Sequence, residues 1–201
     1  MKTKNNMTIS EVYHKSFLYT DKYDLGYLEH FYSDYLIECK GEINNFLEIG
    51  VCLGGSMKLW RAFFDKHVEV VGVDVQDLMK IEGCKIIKAD AYSTDFVETI
   101  PNDHYDLIVD DGAHTFETWM KLIDLYYDKI PDGGRIVIED IIAPYKAGKG
   151  ANESQRELMK EAIREKGYSY MKIHDLTGKQ KTPRMKELWK DLKIEIWELR
   201  K

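Results

Sequence analysis

Seven short runs rich in β-branched and aromatic residues, separated by stretches of helical periodicity, leave this chain few folds to choose from. The runs are residues 46–49, 68–73, 85–88, 105–109, 135–138, 168–173 and 194–199. Such alternation is the pattern of a parallel sheet whose strands are joined by crossover helices. Between the fourth and fifth runs, Phe116, Trp119, Met120, Ile123, Tyr126, Tyr127 and Ile130 recur at helical spacing. They predict a helix over 115–130 with that face packed on the sheet. Gly133-Gly134 then turns the chain into the next run. With 201 residues there is room for one α/β domain with a well-buried core.

Two of the runs end in charge. Asp110-Asp111-Gly112-Ala113-His114 follows Leu107-Ile108-Val109, and Glu139-Asp140 follows Ile136-Val137-Ile138. An unpaired buried carboxylate is very costly, so both clusters are expected on the rim of the sheet. Taken singly, each has a plain alternative as a polar strand end or a capping residue. Together, several carboxylates and one imidazole suggest a hard divalent metal beside a general base, and hence an enzyme. Adjacent residues of a strand point to opposite faces, so Glu139 and Asp140 can share a metal only if the strand has ended there.

The segment Leu47-Glu48-Ile49-Gly50-Val51-Cys52-Leu53-Gly54-Gly55-Ser56 joins the first run to the first helix. Its glycines allow close backbone approach to a ligand, and the following helix presents free N–H groups. Cysteine at 52 and adjacent later glycines depart from Gly-x-Gly-x-x-Gly, which disfavours a dinucleotide-dependent oxidoreductase. Asp74 follows Val70-Val71-Gly72-Val73, where an acidic side chain can take both hydroxyls of a ribose. Asp90, near the end of the third run, suits an adenine amino group. Asp110 is placed to line the cofactor pocket or to support the metal from behind.

These residues resemble class I S-adenosylmethionine-dependent methyltransferases. Glu48 and Gly50 match the acidic residue and glycine of that family's first motif, and Asp74 and Asp90 match the acids ending its second and third strands. The resemblance covers residues 46–139. It implies an α/β, Rossmann-like seven-stranded methyltransferase sheet of order 3-2-1-4-5-7-6 with the last strand antiparallel. An N-terminal helical cap over residues 1–44 and a core over 45–201 would make one structural domain. Within the class, Asp111-Gly112-Ala113-His114 with Glu139-Asp140 resembles the metal-dependent sugar O-methyltransferases of the macrocin and mycinamicin type. That resemblance implies that Asp111, Glu139 and Asp140 hold Mg2+ and that His114 is the general base. S-adenosylmethionine would lie against Glu48, Gly50, Gly54, Ser56, Asp74, Asp90 and Asp110. Thr20-Asp21-Lys22 resembles the family's Thr-Asp-Lys segment, which helps close the cofactor site. Two departures bear on the acceptor. Ile141-Ile142-Ala143-Pro144-Tyr145 replaces polar residues before the tyrosine, and Leu25-Gly26-Tyr27 stands where a histidine is often found. Tyr145 and Trp119 are candidate walls for a substrate ring, against the commoner role of such residues in packing.

Composition narrows the remainder. A formal net charge of -6 argues against a nucleic-acid partner. Lys179, Lys181, Arg184, Lys186, Lys190 and Lys193 are a local exception, read as a solvated surface or as a patch for an anionic part of the substrate. Cys39, Cys52 and Cys84 form neither a disulfide framework nor a thiolate zinc pattern, which fits a reducing cytosol. Residues 1–11 lack an apolar core for a signal peptide, and no run approaches the roughly 20 residues that span a bilayer. Ahead of the first strand, Tyr13, Tyr19, Tyr23, Tyr27, Tyr32 and Tyr35 belong to two expected helices with Thr20-Asp21-Lys22 between them. A cap this aromatic could pack on a second subunit, so a homo-oligomer stays open. Residues 141–152, with Pro144, Gly148 and Gly150, read as a loop able to act as a lid. The expectation is a cytoplasmic enzyme that methylates a hydroxyl of a sugar, on a glycan precursor or glycosylated metabolite, with no membrane partner. A methyltransferase of catechols or other small diols, and a non-catalytic S-adenosylmethionine-binding protein, are the alternatives.

Overall fold

The computed structural model describes residues 7–16, 18–77, 80–143 and 149–201. Its strands are β1 (Asn45–Ile49), β2 (Glu69–Asp74), β3 (Lys85–Lys88), β4 (Leu107–Asp110), β5 (Arg135–Ala143), β6 (Tyr170–Asp175) and β7 (Lys193–Arg200). They form one seven-stranded sheet in the order β3-β2-β1-β4-β5-β7-β6. Strands β1 to β5 pair in parallel, and β7 runs antiparallel between β5 and β6. This is the sheet expected from the resemblance.

Two of the strand limits that differ from the expected ones do so for clear local reasons. Tyr168 lies ahead of β6, just after Gly167 closes the preceding helix in a left-handed conformation. Its hydroxyl donates to the Ile123 carbonyl at 3.1 Å, so its ring serves helix packing and not the ladder. Strand β5 continues five residues past its expected end at Ile138 and carries a bulge between Ile138 and Ile141.

Alternate strand residues feed two layers, as in sheets covered on both faces. Phe46, Val70, Leu107, Val109, Val137, Ile194 and Ile196 pack toward α1 (Ile9–Ser16), α3 (Ser33–Cys39) and α4 (Gly55–Phe63). Leu47, Ile49, Val71, Ile108, Ile136, Ile138 and Trp197 pack toward α5 (Thr94–Val97), α6 (Phe116–Leu125) and α7 (Glu153–Lys166). Each large apolar side chain fully buried this way contributes about 1.5–3 kcal/mol. Thr115 caps α6 in a reciprocal box with Thr118, and the helix gives way after Leu125 to a tighter turn, Tyr127–Lys129. Trp119 on α6 is completely buried in this second layer. It is core, which removes it as a wall for a substrate ring. Pro144, Tyr145 and Gly148, on which the wall and lid readings rest, lie outside the described residues.

The N-terminal segment shares a core layer with the sheet, since Tyr27, Leu28, Phe31, Tyr32 and Leu36 cluster with Phe46 and Val137. Thr20-Asp21-Lys22 is not a plain connection. Thr20 caps α2 (Asp21–Asp24), a single turn, by accepting the Lys22 N–H. The segment Leu28–Tyr32 is a wide π-type turn in which the Ser33 N–H reaches the Leu28 carbonyl. The Ser33 hydroxyl donates to the same carbonyl at 2.6 Å, supporting the widened geometry. The basic segment surrounds α8 (Pro183–Leu188) between β6 and β7, where Lys181 pairs with Glu29 and Lys190 with Glu187. Among the described residues, no helix is long and apolar enough to cross a membrane.

Burial orders the three thiols. Cys39 is fully buried and Cys84 half-buried, and burial pushes both thiols up to about 11, whereas Cys52 is exposed. Iodoacetamide at pH 8 is therefore expected to alkylate Cys52 first and Cys39 only after denaturation. Mass spectrometry showing Cys39 modified in the native protein would contradict this packing.

Candidate active site

The bulge in β5 solves a problem that regular pleating would create. Ile138 pairs with Trp197 and Ile141 with Glu195, so Glu139 and Asp140 together face the single residue Ile196. Asp140 takes a left-handed φ of 55°. The extra residue re-aims its side chain to the face that Glu139 already occupies. Both carboxylates then meet phenols of the N-terminal segment: Tyr32 donates to Glu139 Oε1 and Tyr27 to Asp140 Oδ1. Sequence reasoning required the strand to stop at Glu139. Instead it continues and kinks.

Lys22 lies at the centre of the arrangement and is almost fully buried. Its Nζ is 2.6 Å from Asp111 Oδ2, 2.5 Å from Glu139 Oε2 and 3.5 Å from Glu48 Oε1. Burial pulls its pKa down, but the carboxylates of Asp111, Glu139 and Glu48 outweigh burial and hold the amine charged. Burial raises the Glu48 carboxyl to about 7, with Lys22 pulling the other way. Burial, then the adjacent carboxylates, push the Tyr27 and Tyr32 phenols well up, so both remain protonated donors.

What stays open is a compact set of three atoms. Asp111 gives Oδ2 to Lys22 and turns Oδ1 toward His114, 3.5 Å from Nε2. Asp140 gives Oδ1 to Tyr27 and turns Oδ2 toward the same Nε2 at 3.6 Å. Asp111, His114 and Asp140 each offer one ligand atom, and these lie within 4.8 Å of one another. Glu139, with one oxygen on Tyr32 and the other on Lys22, stands outside that group. His114 also has a left-handed φ, 55°, and its carbonyl accepts the Gly150 N–H at 2.8 Å. Among the described residues, His114 Nδ1 is buried without a hydrogen-bond partner. Two free carboxylate oxygens, with the remaining oxygens anchored by donors, fit a divalent cation beside an imidazole.

The loop after β1 borders this group. Gly50 has φ 86°, and a Cβ there would fall on the backbone carbonyl of Asp111, so glycine is what lets the β1 and β4 loops pass each other. Gly54, φ 74°, rests against Ile81. Asp74 Oδ2 accepts the N–H groups of Val51 and Cys52 at 2.9 and 3.0 Å, pinning the loop to the end of β2. Ser56 donates to Glu48 Oε2 at 2.7 Å, so the Glu48 carboxylate lies beneath the loop. Asp90 is exposed after β3 and accepts the Tyr92 N–H. The Tyr92 hydroxyl donates to Asp110 Oδ1 at 2.5 Å, leaving Asp110 Oδ2 buried without a partner among the described residues. Burial raises the Asp110 carboxyl to about 6. A glycine loop, acids at the ends of β2 and β3, and an orphaned buried acceptor fit a nucleoside-bearing ligand that carries a donor.

The structure thus brings Asp111, His114 and Asp140 together, and sets Glu48, Gly50, Gly54, Ser56 and Asp74 in or against the adjoining loop, with Asp90 after β3 and Asp110 at the end of β4. Sequence reasoning did not single out Tyr27, Tyr32 or Tyr92, nor the contacts of Lys22. Tyr27 and Tyr32 are five residues apart, a spacing that no regular helix turns to one side, so no periodic signal marked them.

No family model matches the chain. It is 27% identical over 108 residues to the mycinamicin VI 2''-O-methyltransferase of Micromonospora griseorubida, covering 52% of this chain and 27% of that protein. It is 26% identical over 132 residues to the demethylmacrocin O-methyltransferase of Streptomyces fradiae, covering 60% of this chain and 33% of that one. Among solved structures, the MycE methyltransferase from the mycinamycin biosynthetic pathway, in complex with Mg and SAH, is similar with a TM-score of 0.56. That match has 25% identity and covers 67% of this chain and 40% of MycE. The chain spans about a quarter to a third of the length of these curated relatives. Its fold is that of class I S-adenosylmethionine-dependent methyltransferases, and it is similar to the macrocin and mycinamicin type, as its motifs suggested.

The loop crossing generates a direct test. Gly50→Ala combines a left-handed backbone with a clash against the Asp111 carbonyl, and is expected to lower unfolding free energy by about 2 kcal/mol or more. Urea denaturation measures this, and an unchanged midpoint would contradict the crossing.

Proposed function

We propose that this chain transfers a methyl group from S-adenosylmethionine to a hydroxyl of a sugar, on a glycan precursor or glycosylated metabolite, with Mg2+ as cofactor. The observation that carries the reading is the pair of half-anchored carboxylates. Asp111 and Asp140 each have one oxygen fixed by a protein donor and the other turned toward His114 Nε2. The Micromonospora relative is named for methylation at a 2'' oxygen, and MycE was solved with Mg and SAH. Those properties are extended to this chain as part of the proposal.

Asp111 and Asp140 are the residues that would hold the cation, with His114 beside them as the base. A divalent cation there supplies charge that lowers the pKa of a bound hydroxyl, which is otherwise a poor nucleophile. The residues of the chain do the rest. Lys22 and Tyr27 fix the two carboxylates, so little reorganisation is needed when an acceptor arrives. The hydroxyl oxygen forms the new C–O bond as the methyl C–S bond breaks. The electron pair of that bond stays on sulfur, giving S-adenosylhomocysteine, and the hydroxyl proton passes to His114 Nε2.

The donor would occupy the loop after β1, where Gly50 touches the Asp111 backbone and brings the two half-sites side by side. Asp74 and Asp90 are assigned to the ribose and adenine. Asp110 Oδ2, a buried acceptor without a protein donor among the described residues, is assigned to the amino group of the methionine part. Gly54 and Ser56 shape the loop, and Glu48 supports it from beneath.

Transfer from methyl-labelled S-adenosylmethionine to a panel of glycosides and catechols tests the reading. EDTA is expected to abolish transfer to a glycoside and Mg2+ to restore it, while turnover on catechols alone would reject the sugar assignment. His114→Ala is expected to lower turnover by about 10²-fold or more and to leave affinity for S-adenosylhomocysteine within about threefold. Full activity in that variant would remove His114 from the chemistry.

A further inference from the structure

The turn after β3 is held on two sides and carries a phenol into the turn after β4. Asp90 Oδ1 accepts the Tyr92 N–H at 2.9 Å, and the Asp90 carbonyl accepts from the Ser93 hydroxyl, also at 2.9 Å. The Tyr126 hydroxyl donates to the Ala91 carbonyl at 2.8 Å, which ties the same turn to the end of α6. From this base the Tyr92 hydroxyl donates to Asp110 Oδ1 at 2.5 Å and accepts the Ala113 N–H at 3.4 Å. A Cβ on Gly112 would fall 2.0 Å from that hydroxyl oxygen, so glycine is what admits the phenol. Burial, then the Asp110 carboxylate, push the Tyr92 phenol well above its ordinary range, which keeps it a donor. Asp110 is 1% exposed, and its Oδ2 is the oxygen left without a partner among the described residues.

We infer that Tyr92 is a positioning residue for the methyl donor: its hydroxyl locks the Asp110 carboxylate so that Oδ2 is presented to the ammonium of the methionine part. The inference rests on the assignment of Asp110 made above and deepens it, because it names what sets that carboxylate. A buried acceptor left unpaired is costly, and a ligand ammonium supplies the missing donor. With Oδ1 held by the phenol, the plane of the carboxylate is fixed before the ligand arrives, so little ordering is left for binding to impose. Without the phenol both oxygens lose their anchor, and the carboxylate must be ordered by the ligand itself. The nucleoside half is assigned to other groups, Asp74 and Asp90, so the effect of Tyr92 is confined to ligands that carry the amino-acid part.

Calorimetry on the full chain with two ligands tests this without recourse to turnover. S-adenosylhomocysteine carries the amino-acid part, whereas 5'-methylthioadenosine keeps the nucleoside and the sulfur but lacks it. Tyr92→Phe is expected to weaken S-adenosylhomocysteine by about tenfold and to leave 5'-methylthioadenosine within about threefold of wild type. Asp110→Asn is expected to show the same selectivity, and the double variant to bind S-adenosylhomocysteine within about threefold of Asp110→Asn alone, since both changes remove one contact. Retained binding of 5'-methylthioadenosine also shows that Tyr92→Phe is folded. The inference is overturned if Tyr92→Phe weakens both ligands equally, as a merely structural role would, or weakens neither. It is also overturned if the two substitutions add in full. If wild type binds both ligands and Asp110→Asn alone discriminates between them, the donor assignment stands and the role of Tyr92 falls. If wild type binds neither, the donor assignment under the proposed activity falls, and this inference with it.

Discussion

A charge taken out of water must find its opposite, and the arrangement at the rim of this sheet follows from that requirement. Glu48, Glu139 and Lys22 are all buried, and no one of them would be tolerable there alone. The contacts of Lys22 bind the N-terminal segment to β1, β4 and β5 through one ammonium group. Breaking a buried pair by removing one partner typically costs about 3–5 kcal/mol, so the cap cannot lift from the sheet without a large penalty. The phenols of Tyr27 and Tyr32 add two more ties across the same seam.

The site is built where regular structure is interrupted. Among the described residues, four that are not glycine have positive φ, and three of them, Cys52, His114 and Asp140, sit on the site's rim. Such conformations cost of order 1–3 kcal/mol each and persist where surrounding contacts over-determine them. The bulge in β5 puts consecutive carboxylates on one face, and the π-type turn at Leu28–Tyr32 puts two phenols against them. Each irregularity answers the other. A regular strand would send Asp140 into the apolar layer beneath α6.

Much of this was legible in the residues. The alternation of runs and helical stretches announced the parallel sheet, and acids after Val109 and Ile138 marked its working edge. Asp111 and His114, three apart in a glycine-bearing turn, could be paired from spacing alone. The different fates of Glu139 and Asp140 could not, since alternation with period two carries no sign of a bulge. Lys22 lies 89 and 117 residues from Asp111 and Glu139, and no local pattern encodes a contact that only the folded sheet creates. Trp119 shows the converse: the apolar stripe correctly put it in the core, and its aromatic ring alone had suggested a ligand wall.

Diffraction at the manganese absorption edge, from a crystal soaked with Mn2+ and S-adenosylhomocysteine, addresses the central claim most directly. The account predicts an anomalous peak bonded to Asp111 Oδ1 and Asp140 Oδ2, beside His114, with the sulfur of the ligand facing it from the Gly50 loop. No peak at this rim with the ligand bound would contradict it.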